Sequence, residues 1–126
     1  MATTDENKEV TEAREILNQL GGKGFLMMTG ASNLFAAGRT ESNPYPFLRM
    51  DLCTELQDER TKVNRLKITL KHDEYTVDFY YQVLGDLEPV VTNRQVFERQ
   101  QAEDLAPLFR QVTGYETRMP LIHFVK

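Results

Sequence analysis

The sequence feature that most constrains the fold is a pair of alternating segments within residues 63–84. Leu66, Ile68 and Leu70 alternate with polar residues, and Tyr75–Val83 carries an apolar or aromatic residue at every second position. This period of two is typical of strands with one buried face and one open face. Four polar residues, Lys71–Glu74, separate the two segments. The sequence therefore predicts a β-hairpin with a polar tip.

Shorter patterns before the hairpin predict a helix and further strands. Val10–Leu20 carries an apolar stripe at helical spacing, and the glycines at 21 and 22 are typical of a helix end. We interpret the apolar run within Gly24–Gly30 as a buried strand, with Leu34–Ala37 pairing back against it. Leu48–Leu52 alternates again, which predicts a half-buried strand.

The C-terminal part predicts a helix that closes the core. Val90–Thr92 is typical of a short edge strand, and a helical pattern runs from about Gln95 to a glycine cap at Gly114. Pro107 is compatible with this helix if the main helix begins near Asp104. The tail Leu121–Val125 could return as a strand. We expect an α+β domain with an N-terminal helix, a four- or five-stranded mainly antiparallel sheet, and a C-terminal helix packed on one face.

Length and composition predict one folded domain over residues 1–126, with residues 1–8 as a frayed tail. The single cysteine excludes an internal disulfide within one chain, and the acidic N-terminus is unlike a signal peptide. These features favour the cytoplasm and no membrane partner; the resemblance described below implies that the cytoplasm is that of a bacterial host. The net charge of −4 argues against broad attraction to phosphate backbones, yet residues 61–71 hold four basic and no acidic residues.

The polar face of the predicted hairpin is the strongest candidate binding surface. Its basic and aromatic members, joined by one residue of the preceding strand, are Arg49, Arg65, Lys67, Lys71 and Tyr80. On a sheet, basic side chains can neutralise the phosphates of single-stranded nucleic acid, and aromatic side chains can stack against its bases. The alternatives are an ordinary solvated face, which keeps the sheet soluble, and a homodimer interface.

A second candidate surface is acidic. Its members are Glu55, Asp58, Glu59, Asp73, Glu74 and Asp78. Carboxylates spread over a compact surface can imitate phosphates and bind a basic groove. Solvated loop charges are the simpler interpretation.

Catalytic and metal-binding patterns are weak. The glycines around Lys23 follow a helix, whereas a phosphate-binding loop precedes one. His72 lies in the polar tip beside two acidic residues, and Cys53 lies between acidic neighbours that disfavour a thiolate. Hence the sequence predicts no catalytic residues, no metal and no cofactor, although a small enzyme without a recognisable motif stays an alternative.

Several segments together resemble small uncharacterised proteins carried by bacteriophages and other mobile elements. They are Ile16–Gly22 with Phe25, Met28–Ala31 with Asn33, Leu66–Leu70, Tyr75–Phe79, and Leu108–Phe109 with Thr113–Gly114. The resemblance covers most of residues 14–115 and departs from the family pattern at Pro44–Lys62. It implies a phage or mobile-element setting without an assigned reaction.

By analogy with other mobile-element proteins, we expect a noncatalytic accessory protein that binds a host protein and inhibits host defence in an anti-CRISPR-like manner. The alternative from another class is a single-stranded nucleic-acid-binding module that uses the open sheet face.

Overall fold

The computed structural model describes residues 13–38 and 44–117. It confirms the α+β class: five strands form one antiparallel sheet in the order of the chain, with helices before and after it. The helices are α1 (helical residues 13–20), α2 (Gly22–Thr29) and α3 (Leu105–Thr113). The strands are β1 (Ser32–Ala37), β2 (Phe47–Asp51), β3 (Arg65–Lys71), β4 (Glu74–Leu84) and β5 (Pro89–Gln100). The predicted N-terminal tail and the strand at Leu121–Val125 lie outside the described residues.

The interpretation of Gly24–Gly30 as a strand is wrong, because residues 24–29 belong to α2 and Gly30 caps its C-terminal end. Leucine and methionine are good helix formers, and a short apolar run has no period that would distinguish the two states. Phe25 and Thr29, one helical turn apart, are both buried, whereas Met27 between them is 73% exposed. The Thr29 hydroxyl donates a hydrogen bond to the Phe25 carbonyl at 2.7 Å. Consequently β1 pairs with β2 and not with this segment.

Gly21 makes the sharp change of direction between α1 and α2. Its φ of 134° is rare for residues with a side chain, and an added Cβ would lie 2.6 Å from the Thr117 carbonyl oxygen. Its amide donates to the carbonyls of Leu17 and Asn18, both at 3.1 Å. The first helix therefore ends where the glycines predict, but a second helix follows at once.

The central hairpin is confirmed, and its register fixes which side chains share a face. Arg65 pairs with Tyr80, Lys67 pairs with Asp78, and Ile68 pairs with Val77. The tip is shorter than the predicted four residues, because only His72 and Asp73 lie between the strands. Both have positive φ values, 51° and 65°, as a tight type I′ turn requires.

The last strand is much longer than predicted. The predicted helix from about Gln95 is wrong at its start, because β5 continues to Gln100. Val96 and Phe97 are good strand formers, and Phe97 packs edge-on against Phe79 with ring centroids 6.3 Å apart. Helix α3 begins at Leu105 after a short 3₁₀ turn, which places Pro107 in the first turn, where proline is tolerated.

All three helices contribute to one core beneath one face of the sheet. Phe109 of α3 lies between Phe25 of α2 and Phe79 of β4, with ring centroids 4.9 and 6.1 Å apart. Leu66 and Ile68 are fully buried against the same cluster. The opposite face of the sheet holds the alternate residues of each strand, among them Lys67 and Tyr80.

Candidate functional site

The open face of the sheet brings the predicted basic residues together. Arg49 on β2 is the direct cross-strand partner of Lys67 on β3, and Arg65 is that of Tyr80 on β4. Lys71 lies on β3 four residues beyond Lys67, so it occupies the same face. Like charges directly opposite each other destabilise a sheet, so an anion bound between Arg49 and Lys67 would relieve their repulsion.

Three of these cations lie over aromatic rings. The distance from the charged group to the ring centroid is 5.1 Å for Arg49 over Phe35, 4.3 Å for Lys67 over Phe47, and 5.3 Å for Lys71 over Tyr45. We call these six residues the aromatic–basic row.

The rings of the row were not predicted from the sequence, although one signal could have found two of them. Tyr45 and Phe47 have the same parity as Arg49 in β2 and in the residues just before it. Phe35 reaches the face through the pairing of β1 with β2, where it lies opposite Arg49. Phe35 is 51% exposed, so one side of its ring is available to a ligand.

Two carboxylates of the open face, Asp51 and Asp78, are already paired with arginine, whereas Glu74 lies on the same face opposite Lys71. Asp51 accepts from Asn33 at 2.7 Å and is 3.1 Å from the Arg65 guanidinium. Asp78 accepts two hydrogen bonds from Arg94, at 2.7 and 3.2 Å, and this carboxylate raises the pKa of Arg94. Within residues 13–38 and 44–117, no ion pair joins the three cations of the row to a carboxylate. In this part of the chain no carboxylate therefore neutralises their charge, and their contacts are with the aromatic rings beneath them.

The predicted acidic surface is not one surface. Glu55, Asp58 and Glu59 lie in the connection between β2 and β3, where Glu59 pairs with Lys62 at 2.9 Å. Asp73 and Glu74 lie at the far end of β3, a distance of roughly 20 Å along the strand. Asp78 lies mid-strand and is paired with Arg94. The structure therefore does not assemble the phosphate-like array.

The residues considered for catalysis have other contacts. The His72 ring lies at the end of the aromatic–basic row, with Nε2 3.4 Å from the Tyr45 hydroxyl. The half-buried Cys53 accepts a hydrogen bond from the Tyr115 hydroxyl at 3.3 Å. Among the described residues, no three histidine, cysteine or acidic side chains are close enough to share a metal ion.

A depression of about 350 Å³ lies on the helical side, next to α3. Its described lining includes Gln19, Pro107, Arg110 and Glu116, of which the two charged residues pair with each other at 3.6 Å. In the described lining, no hydrogen bond joins the Thr117 hydroxyl to Glu103 or Glu116, whereas covalent catalysis requires a nucleophile within hydrogen-bond reach of a base. The open sheet face is thus the better supported site.

Comparison of the chain with protein-family models, with curated proteins and with solved structures finds no match. In the described part of the chain, every helix is too short or too polar to cross a lipid bilayer.

Proposed function

We propose that the protein binds single-stranded nucleic acid across the open face of its sheet. The observation that carries the proposal is the aromatic–basic row, in which three rings and three cations share one solvent-facing surface. Aromatic rings accept stacked bases of any sequence, and lysine and arginine neutralise the phosphates between them. In RNA-binding domains with an open sheet, aromatic side chains on the exposed face stack two or three bases in the same way.

The overall negative charge is compatible with this proposal because the carboxylates nearest the centre of the open face are paired with arginine. Asp51 and Asp78 on the open face are held by Arg65 and Arg94, and Glu74, the cross-strand partner of Lys71, lies at one end of this face. Long-range attraction to a polyanion is weak for a chain of net charge −4. We therefore expect affinity to depend on local contacts of the row and not on the charge of the whole molecule.

A salt titration with a fluorescent oligonucleotide tests the proposal. We use oligouridylate and oligothymidylate of about eight nucleotides, within the usual site size of single-strand-binding sheets. Each phosphate contact on a single strand contributes about −0.7 to the slope of log K against log salt, so the three cations predict a slope of about −2. The measurement is fluorescence anisotropy at several salt concentrations.

Charge variants locate the binding surface. Lys67→Glu should weaken binding strongly and make the salt slope shallower, since it replaces a phosphate contact with a repulsive group. Lys23→Glu is the matched control, because Lys23 is exposed on α2, on the covered side of the sheet. Equal effects of the two substitutions, or no binding at low salt, would reject the proposal.

A second candidate function is binding of a host protein by the tip of the β4–β5 hairpin, in the mobile-element setting that the sequence resemblance implies. Leu84 and Leu87 at this tip are 91% and 100% exposed, and Asp86 and Glu88 lie beside them. Exposed apolar residues beside acidic ones fit a partner whose apolar pocket is rimmed with lysine and arginine. Inhibition of a cytoplasmic host defence protein would follow from such binding.

The test compares wild type with the double variant Leu84→Ser, Leu87→Ser. A protein captured from host lysate by wild type is purified and its binding to both chains is measured by calorimetry. Tight binding by wild type alone supports this function. Equal binding by both chains, or capture of nucleic acid only, contradicts it.

A further inference from the structure

Strand β5 forms one edge of the sheet that the described strands build, and its first four residues, Pro89–Thr92, are uncharged and exposed. Here β4 and β5 extend beyond β3 as a two-stranded ribbon, because β3 begins at Arg65, opposite Tyr80. Val90 and Val91 are 46% and 45% exposed. Edge strands usually carry charges, prolines or bulges that prevent pairing with another chain, and the three residues after the proline carry none of these.

The hydrogen bonds of the ribbon show which way the backbone groups of β5 point. In an antiparallel ladder, hydrogen-bonded residue pairs alternate with non-bonded pairs. The Asn64 side chain accepts from the Gln82 amide at 2.8 Å and donates to the Gln82 carbonyl at 2.9 Å, so both groups face away from β5. Gln82 is the cross-strand partner of Val91, which makes this pair a non-bonded one. The amide and the carbonyl of Val91 therefore point outward, to the open edge.

Of residues 89–93, only Val91 offers both backbone groups from a regular strand. Residues that face the edge recur at every second position, which gives Pro89, Val91 and Asn93. Proline has no amide hydrogen. Asn93 has a φ of 53° and lies at an irregularity in the pairing of β4 with β5. A strand that pairs with this edge is therefore held in one register, centred on Val91.

We propose that this edge binds a second copy of the chain, through antiparallel pairing of the two β5 strands about a two-fold axis at Val91. Each Val91 amide then donates to the Val91 carbonyl of the other copy, as in a hydrogen-bonded pair of an antiparallel sheet. Val90 lies opposite Thr92 of the second copy, and such β-branched residues pack well across strands. The contact is isologous, so it closes as a dimer and does not extend into a fibre.

The charges at the ends of the paired segment are complementary between two copies. In this register Glu88 of one copy lies beside Arg94 of the other, because residues equally far from Val91 face each other. The Arg94 side chain is 62% exposed, and its guanidinium has further N–H donors besides the two that bind Asp78. The same contact forms twice by symmetry. The antiparallel arrangement also keeps the acidic tips of the two ribbons apart.

Sedimentation velocity without nucleic acid tests the proposal, so the outcome does not depend on the proposed function. A single edge-to-edge contact is small, and small interfaces are weak, so wild type should pass from monomer to dimer between about 1 μM and 1 mM. Val91→Lys should raise the dimer dissociation constant roughly tenfold or more, because it places two like charges directly opposite each other. Gln82→Lys is the matched control: it adds the same charge on the same face of the ribbon, one strand further from the edge, and should leave the constant unchanged.

A mixture of two charge variants tests the symmetry of the contact. Val91→Lys and Val91→Glu should each stay monomeric, whereas an equimolar mixture should form heterodimers, because a two-fold axis at Val91 places residue 91 opposite itself. Wild type that stays monomeric over the whole range overturns the proposal. Equal weakening by Val91→Lys and Gln82→Lys, or a mixture that stays monomeric, also overturns it.

Hydrogen exchange of the wild-type Val91 amide locates the contact without any substitution, in case a variant fails to fold. Exchange of this amide should slow as the protein concentration rises through the dimerisation range, because the amide becomes hydrogen-bonded in the dimer. An exchange rate that does not change with concentration overturns the proposal.

Discussion

Truncation of Phe35 separates a binding role from a structural one. Phe35 is 51% exposed, so Phe35→Ala removes only about half of the burial energy of a phenylalanine, or about 1 kcal/mol. Loss of the Arg49 contact at 5.1 Å adds about 0.5–1 kcal/mol. Domains of this size are stable by about 5–15 kcal/mol, so the variant should stay folded.

The effect of Phe35→Ala on binding should be larger than its effect on folding would suggest. Base stacking on an aromatic ring contributes about 1–3 kcal/mol to binding. Loss of this stacking should raise the dissociation constant roughly 5- to 150-fold. Fluorescence anisotropy with the oligouridylate measures this change, and urea unfolding measures the stability.

Leu34→Ala is the matched control for Phe35→Ala. Leu34 is the preceding residue of β1, is 39% exposed, and faces the helical side, where it lies beside Ala13 and Leu17. Its truncation should lower stability by a similar amount and leave the dissociation constant unchanged. If the two variants weaken binding equally, or neither does, the reasoning about the open face is refuted.

Three further predictions concern stability. Gly21→Ala should lower the free energy of unfolding by about 1–3 kcal/mol, because φ at this residue is 134° and the new Cβ would meet the Thr117 carbonyl oxygen. Urea titration measures this change, and an unchanged midpoint would contradict the prediction. Phe109→Ala should cost about 3–5 kcal/mol by the same assay, because the ring is 1% exposed in the centre of the core, and a loss below 1 kcal/mol would refute that placement. Burial raises the pKa of the Tyr115 phenol, and its hydrogen bond to the Cys53 thiol raises it further. The folded chain thus holds this proton more tightly than the unfolded chain, so stability from this group should be constant up to about pH 10 and fall above it. Thermal unfolding measured from pH 8 to 11 tests whether stability falls above about pH 10. Tyr115→Phe should lessen this loss of stability.

The sequence predicts the central hairpin well because its period of two is uninterrupted from Leu66 to Leu70 and from Tyr75 to Val83. The open face follows from the same alternation, and Pro107 marks the start of α3. Strand β5 was harder to predict, since Asn93 and Arg99 adopt positive φ values of 53° and 59°. Irregularities in the pairing of β4 with β5 interrupt the alternation that would have revealed the strand.

The candidate site depends on contacts that no local pattern encodes. The ion pair of Asp78 with Arg94 requires the register of β4 against β5, and the contact of Arg49 with Phe35 requires the pairing of β1 with β2. Helix α2 was missed for a different reason. Its four apolar residues are too few to show either period, and the burial of Phe25 and Thr29 together is a tertiary effect.

Nuclear magnetic resonance of the aromatic side chains tests the open-face account most directly, because rings on the two faces of the sheet give separate signals. During titration with the oligouridylate, the ring resonances of Phe35, Phe47 and Tyr80 should shift progressively. Those of Phe25 and Phe109, which are buried beneath the opposite face, should stay constant. Saturable binding that leaves the rings of Phe35 and Phe47 unshifted would contradict the account.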